Sequence, residues 1–373
     1  NWGDGNHWSL TSGGSPAGCP PTSIDNVFFD ANSFSLAAQS VTINVPTAYC
    51  HNMTWTGTTN TPTFTGTTSG KLRIYGSLTF VGGMSYSFAG KVSFEATDMG
   101  NTITMAGQTF KNDVTFDGVG GGWILQDEFT TTSDINLNQG TLTSNNQTVN
   151  ARMFNSNTGF PRTLNMGSSV FNISWYAGPG FWNVEPGGMT INAGTSTVNG
   201  TGNQTGWQPV FNGGGFTYYN LNFTGVNSAE GVIYDNNTFN DVNFSIQGGV
   251  IRNSNTFHDV VIGGPGTIWD NNTYHNLTFT PGYTYTLTNG KTQTINGSFT
   301  ATGNCGALIT ISSSTPGSQS TISHPAGNVT VDYVVLKDIN ATGGATYTAN
   351  SSVDLGNNSG WTINAAVSKD LYW

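Results

Sequence analysis

Three copies of one unit run end to end between Gly231 and Phe279, and no other feature narrows the possible folds as far. GVIYDNNTFNDVNF spans Gly231 to Phe244, GVIRNSNTFHDVVI spans Gly249 to Ile262, and GTIWDNNTYHNLTF spans Gly266 to Phe279. Ile233, Ile251 and Ile268 correspond, as do Phe239, Phe257 and Tyr274, and Val242, Val260 and Leu277, at offsets of 18 and then 17 residues. A partial copy, TYYNLNF from Thr217 to Phe223, lies upstream. A unit this short cannot bury a core alone and must stack on its neighbours. Inside each copy apolar residues alternate with polar ones, which is the period of a strand and not of a helix. Short strands, a Gly at each corner and one coil per 17–22 residues predict an all-β parallel β-helix of right-handed type. Ile233, Phe239, Val242, Phe244 and their equivalents would form inward ladders. Asp235, Asn253 and Asp270 would form a polar ladder at a corner, where Asx side chains satisfy turn backbone.

The rest of the chain fits the same plan. Leu78-Thr-Phe80, Val92-Ser-Phe94, Val114-Thr-Phe116 and Ile135-Asn-Leu137 repeat an apolar-polar-apolar triplet. We divide the chain into entry and capping coils over residues 1–60, regular coils over 61–290 and more elaborate coils over 291–373. Trp2 and Trp8 are expected to close the hydrophobic column at the first end, because solenoids need atypical ends.

Composition excludes several functions. Charged residues make up only 8% of the chain, against about 25% in an ordinary globular protein. The formal net charge is −10 and the ten basic residues are scattered, so nucleic acid is not expected as a partner. No apolar run has the length of a membrane span, and membrane insertion is not expected. Sparse Lys with abundant Asn and Thr argues for an extracellular protein. On that ground a disulfide between Cys19 and Cys50 is expected, with Cys305 free and buried; the other reading is three buried thiols.

Polysaccharide-cleaving β-helices need convergent carboxylates, often with Lys or Arg. Asp235, Asp241, Asp259 and Asp270 lie on adjacent coils, but Asn253 and Asn276 stand at equivalent positions, which marks structural ladders. Asp127-Glu128 reads as a solvated corner. No enzyme, no cofactor and no metal site is expected. His258 and His275 share a repeat position, yet the first copy, one coil earlier, has Asn240 there. Asp25, Asp30 and Asn32 read as turn caps ahead of a calcium site. An ice-binding face would need Thr on one column of many coils; Asn243, Val261 and Thr278 stand there instead.

Tyr234, Arg252 and Trp269 are the better lead. Each follows an inward Ile, so alternation turns it outward, giving an exposed row with an Arg between two rings. Such a row can stack on sugar rings or on another subunit, or cover neighbouring loops. Residues 139–215 are the least regular stretch, and loops carry much of a solenoid's function. Its aromatics Trp175, Tyr176, Phe181, Trp182 and Trp207 are further ligand or interface candidates.

The two ends carry the most specific motifs. NWGDGNHWSL from Asn1, CPPTSIDNVFFDANSF from Cys19, AYCHNMTW from Ala48, VDYVVLKDI from Val331 and GNNSGW from Gly356 resemble modules of giant secreted tandem-repeat adhesins of the Bacteroidota, some of them mobile adhesins of gliding bacteria. In such modules a Leu-Tyr-Trp segment and a short link precede the Asn-Trp segment; here Leu371-Tyr-Trp373 ends the sequence and Asn1-Trp2 opens it. The resemblance covers the first 60 and last 70 residues. It implies one repeat of a longer polypeptide, exported through the outer membrane and held at the cell surface. Neighbouring repeats are thus expected partners; open solenoid ends expose unpaired strands, so identical subunits end to end are expected as well, and the aromatic row makes surface glycans a further partner.

Overall fold

A computed structural model describes residues 1–174, 178, 180–225, 229–245, 247–367 and 370. Among them the chain is all-β, with a single 3₁₀ turn at Gly5–His7. The pairings between its named strands are parallel, as the β-helix reading requires. Among the described residues no helix is long and apolar enough to cross a membrane. The chain forms two compact units, one over Asn1–Ser174 and Phe181–Val198, the other from Asn199 onward.

In the second unit the three copies pair residue for residue. Gly231, Val232 and Ile233 lie against Gly249, Val250 and Ile251, which lie against Gly266, Thr267 and Ile268. Phe239, Val242 and Phe244 lie against Phe257, Val260 and Ile262, and these against Tyr274, Leu277 and Phe279. The three isoleucines are fully buried. The Phe239 and Phe257 rings stack at 5.5 Å and 9°, and Phe257 and Tyr274 at 5.3 Å and 11°. Register therefore delivers like onto like, and offset ring stacking adds to area burial. The Gly that opens each copy is required by close approach: a Cβ at Gly231 or Gly249 would run into the ring of Phe223 or Phe244.

Two ladders of Asx side chains hold the corner. Asp235, Asn253 and Asp270 all have left-handed backbone, at φ 74°, 66° and 59°, which Asn and Asp tolerate best after Gly. The Asp235 carboxylate accepts from Gly214 N–H (2.7 Å), Asn253 Oδ1 from Asp235 N–H and Asp270 Oδ2 from Asn253 N–H, both at 3.1 Å. Two residues further on runs a second, buried ladder. Asn255 Oδ1 accepts from Asn237 N–H at 2.9 Å, and Asn272 Oδ1 from Asn255 N–H at 2.8 Å. Each Nδ2 turns back to its own corner: Asn237 to Tyr234 O, Asn255 to Arg252 O and Asn272 to Trp269 O. The three side chains are 1–2% exposed, so this network is the alternative to orphaned backbone inside the column.

The first unit closes its amino-terminal end with aromatics. Trp2 is buried, edge-on to Trp8 at 5.0 Å and to Phe64 at 6.3 Å, while Phe29 and Phe34 pack on Trp55. Trp8 Nε1 donates to Trp2 O at 2.8 Å. Further along, buried Arg162 donates to the carbonyls of Ser156, Phe160, Glu185 and Gly187 and to Ser156 Oγ, gathering two turns around one guanidinium. Desolvation lowers its proton affinity.

The cysteines differ from expectation. Cys19, Cys50 and Cys305 are all free thiols. Strand Thr47–Cys50 alternates so that Cys50 points inward, fully buried and paired in register with Ile74, while Cys19 lies in the exposed amino-terminal segment. Cys305 is exposed, not buried, because it sits in the tight turn closed by Asn304 and Ala307. Burial pushes the Cys50 thiol far up.

Two predictions follow from this packing. Asn255→Ala orphans Asn237 N–H and Arg252 O and is expected to cost ~2–4 kcal/mol; Asn253→Gly, at an exposed left-handed position, is expected to cost under about 1 kcal/mol. Denaturant midpoints measure both. In the native protein a thiol reagent is expected to modify Cys19 and Cys305 at once and Cys50 only after unfolding, counted by mass spectrometry.

Candidate functional site

The two faces of the triple repeat carry different outward chemistry. On the first, Tyr234, Arg252 and Trp269 each follow a buried Ile and precede a left-handed Asx corner. The Arg252 guanidinium carbon lies 5.4 Å from the Tyr234 ring centroid and 4.7 Å from that of Trp269. Trp269 is 40% exposed, and Arg252 and Tyr234 are half-buried. Arg252 Nε is enclosed with no hydrogen-bond partner. The row is a flat, cationic, aromatic surface suited to a planar or ring-shaped partner.

The other aromatic candidates separate. Trp207 is exposed at 53%. Phe181 and Trp182, expected on a projecting loop, are instead fully buried. Trp182 belongs to strand Trp182–Val184 in register with Phe154, and the two rings stack at 4.4 Å. The Gly and Pro before them suggested a loop, but two large apolar residues at the start of a strand are drawn into the column. Trp175 and Tyr176 lie outside the described residues.

On the second face the strands bend. Between inward Phe239 and Val242 stand two outward residues, Asn240 and Asp241; the next coil has His258 and Asp259, and the third His275 and Asn276. Asp241, Asp259 and Asn276 are in register. Asn276 Nδ2 donates to Asp259 Oδ1 at 2.5 Å, and His258 Nδ1 lies 3.4 Å from Asp259 Oδ2. The His258 and His275 rings stack at 4.7 Å. Burial, and then the neighbouring Asp259 charge, push the Asp241 carboxyl above its usual range.

Other candidate acids serve the backbone. Asp25 accepts from Thr22 N–H and Oγ1–H, which lower its proton affinity. Asp30 accepts from Asn32 N–H and the Ser33 hydroxyl, capping a turn. Asp127 accepts from Met105 N–H and Ala106 N–H. Asn243, Val261 and Thr278 stand side by side in register, a column of mixed chemistry. Compared with models of protein families, with curated proteins and with solved structures, the chain matches none.

A double-mutant cycle of Arg252→Ala and Trp269→Ala, read by denaturation, is expected to give a coupling of about 0.5–1 kcal/mol.

Proposed function

We propose that the chain is a structural and adhesive module of an extracellular, cell-surface fibre. The observation that carries this reading is the residue-for-residue register of the three copies. Strand pairings and both Asx ladders run from coil to coil, so each coil is specified chiefly by its fit to the next. That construction favours extension and persistence over a moving site. The same logic extends to association with neighbouring repeats or identical subunits end to end, as in the tandem-repeat adhesins that the terminal motifs resemble. Denaturing electrophoresis or mass spectrometry of the intact polypeptide from source cells tests the tandem form. A mass many times 39.4 kDa is expected; a mass near that of this chain overturns it.

A second reading is favoured by the Tyr234–Arg252–Trp269 row. Two rings flanking a guanidinium form a platform for sugar rings. If this row supplies adhesion, Trp269→Ala is expected to abolish retention on immobilised surface glycans while leaving the unfolding transition in place. Normal retention by that variant dismisses the row.

A further inference from the structure

The bend in the second face places side by side two columns that strict alternation would separate. One column reads Asn240, His258, His275 and the other Asp241, Asp259, Asn276. Asp241, His258 and Asp259 each offer one ligand atom, and these atoms lie within 4.8 Å of one another. We propose that Asp241, His258 and Asp259 form a binding site for a divalent transition cation of the zinc type, with the stacked His275 as an adjoining imidazole.

Three observations converge on this cluster. Its donors are mixed: an imidazole nitrogen with two carboxylate oxygens suits zinc-type ions, whereas calcium and magnesium take oxygen alone. Its outer contacts are built. Asn276 Nδ2 holds one oxygen of Asp259, and Asn276 Oδ1 is itself held by Ser298 N–H at 2.8 Å and the Ser298 hydroxyl at 2.7 Å. A carboxylate fixed from behind presents its other oxygen in a defined direction.

The charge is also uncompensated. Among the described residues, Glu95, Asp113, Asp134 and Asp270 are each paired with a Lys or Arg: Arg73, Lys91, Arg152 and Lys291. Most of the chain's acids have no such pair, but Asp241 and Asp259 in addition stand in register on adjacent coils, with His258 against Asp259. Two carboxylates in register one coil apart repel each other, and a dication between them removes that repulsion.

The repeat supplies its own controls. Asn220 precedes Asp241 in one column, Asn240 precedes His258 in the other, and Asn276 follows Asp259. Asp241→Asn, His258→Asn and Asp259→Asn therefore each install a side chain that the same corner accepts one coil away, and the unfolding transition is expected to survive all three. The test is calorimetric titration of the full chain with zinc chloride and, separately, calcium chloride. One saturable zinc is expected, with affinity at least about tenfold weaker in each variant. His7→Asn, which removes an exposed His beside a single carboxylate, Asp4, is expected to leave binding unchanged. Zinc binding that is absent, equal in His258→Asn and wild type, lost in His7→Asn, or weaker than calcium binding overturns the site.

Discussion

The buried amide ladder of Asn237, Asn255 and Asn272 is the interaction on which the triple repeat depends. A coil must turn sharply, and a sharp turn leaves backbone N–H and C=O groups without strand partners. Here those groups face the column, where water does not reach them. An Asn amide offers both an acceptor and a donor. Its oxygen takes the N–H of the coil before, and its nitrogen returns to the carbonyl three residues back in its own coil. No apolar residue does both. Corner, register and coil length are therefore set together, because a slip by one residue would bring an apolar or outward side chain to a position that only a side-chain amide satisfies.

The corner also explains the placement of outward chemistry. The left-handed residue at Asp235, Asn253 and Asp270 ends the first strand of each coil directly after Tyr234, Arg252 and Trp269. Those three side chains are thereby held at the rim of the first face, in a column fixed from behind by the amide that binds their own carbonyls. The guanidinium–ring contacts follow from coil spacing and need no further device. On the second face the bend turns two consecutive residues outward, which brings imidazoles and carboxylates into contact that simple alternation would place on opposite sides of the sheet.

Much of this was legible in the repeat. The offsets of 18 and 17 residues appear as strand register, the aromatic position becomes a ring stack, and the Asp235 column is a ladder. The Asn237 column went unseen because DNNT, NSNT and DNNT each contain several polar residues, and sequence cannot say which one points inward. The contact of His258 with Asp259 was missed for a related reason: period-two alternation places neighbours i and i+1 apart, and only the bend joins them. Phe181 and Trp182 were misread because Gly and Pro signal a turn without saying where the next strand begins. The cysteines were assigned from compartment, whereas their fate rests on one fact of phase, the inward position of Cys50 on strand Thr47–Cys50.

Stacking like onto like also accounts for the sparse charge. A charged side chain in a repeating column meets its own copy one strand spacing away, about 4.8 Å. Two unit charges near that distance repel by about 1 kcal/mol in bulk water and ~4 kcal/mol at a half-buried surface. A neutral ladder of Asn, Thr or aromatic rings turns the same proximity into hydrogen bonds and stacking. The 8% charged content is therefore what a long register-locked sheet selects. Four of the twenty acids have a Lys or Arg set against them, as Arg73 is for Glu95 and Arg152 for Asp134. Asp241 has no such base and stands in register over Asp259. A solenoid that keeps two acids in one column with only an imidazole beside them has retained a repulsion that replacement by Asn, already used at Asn220 and Asn276 of the same column, would remove.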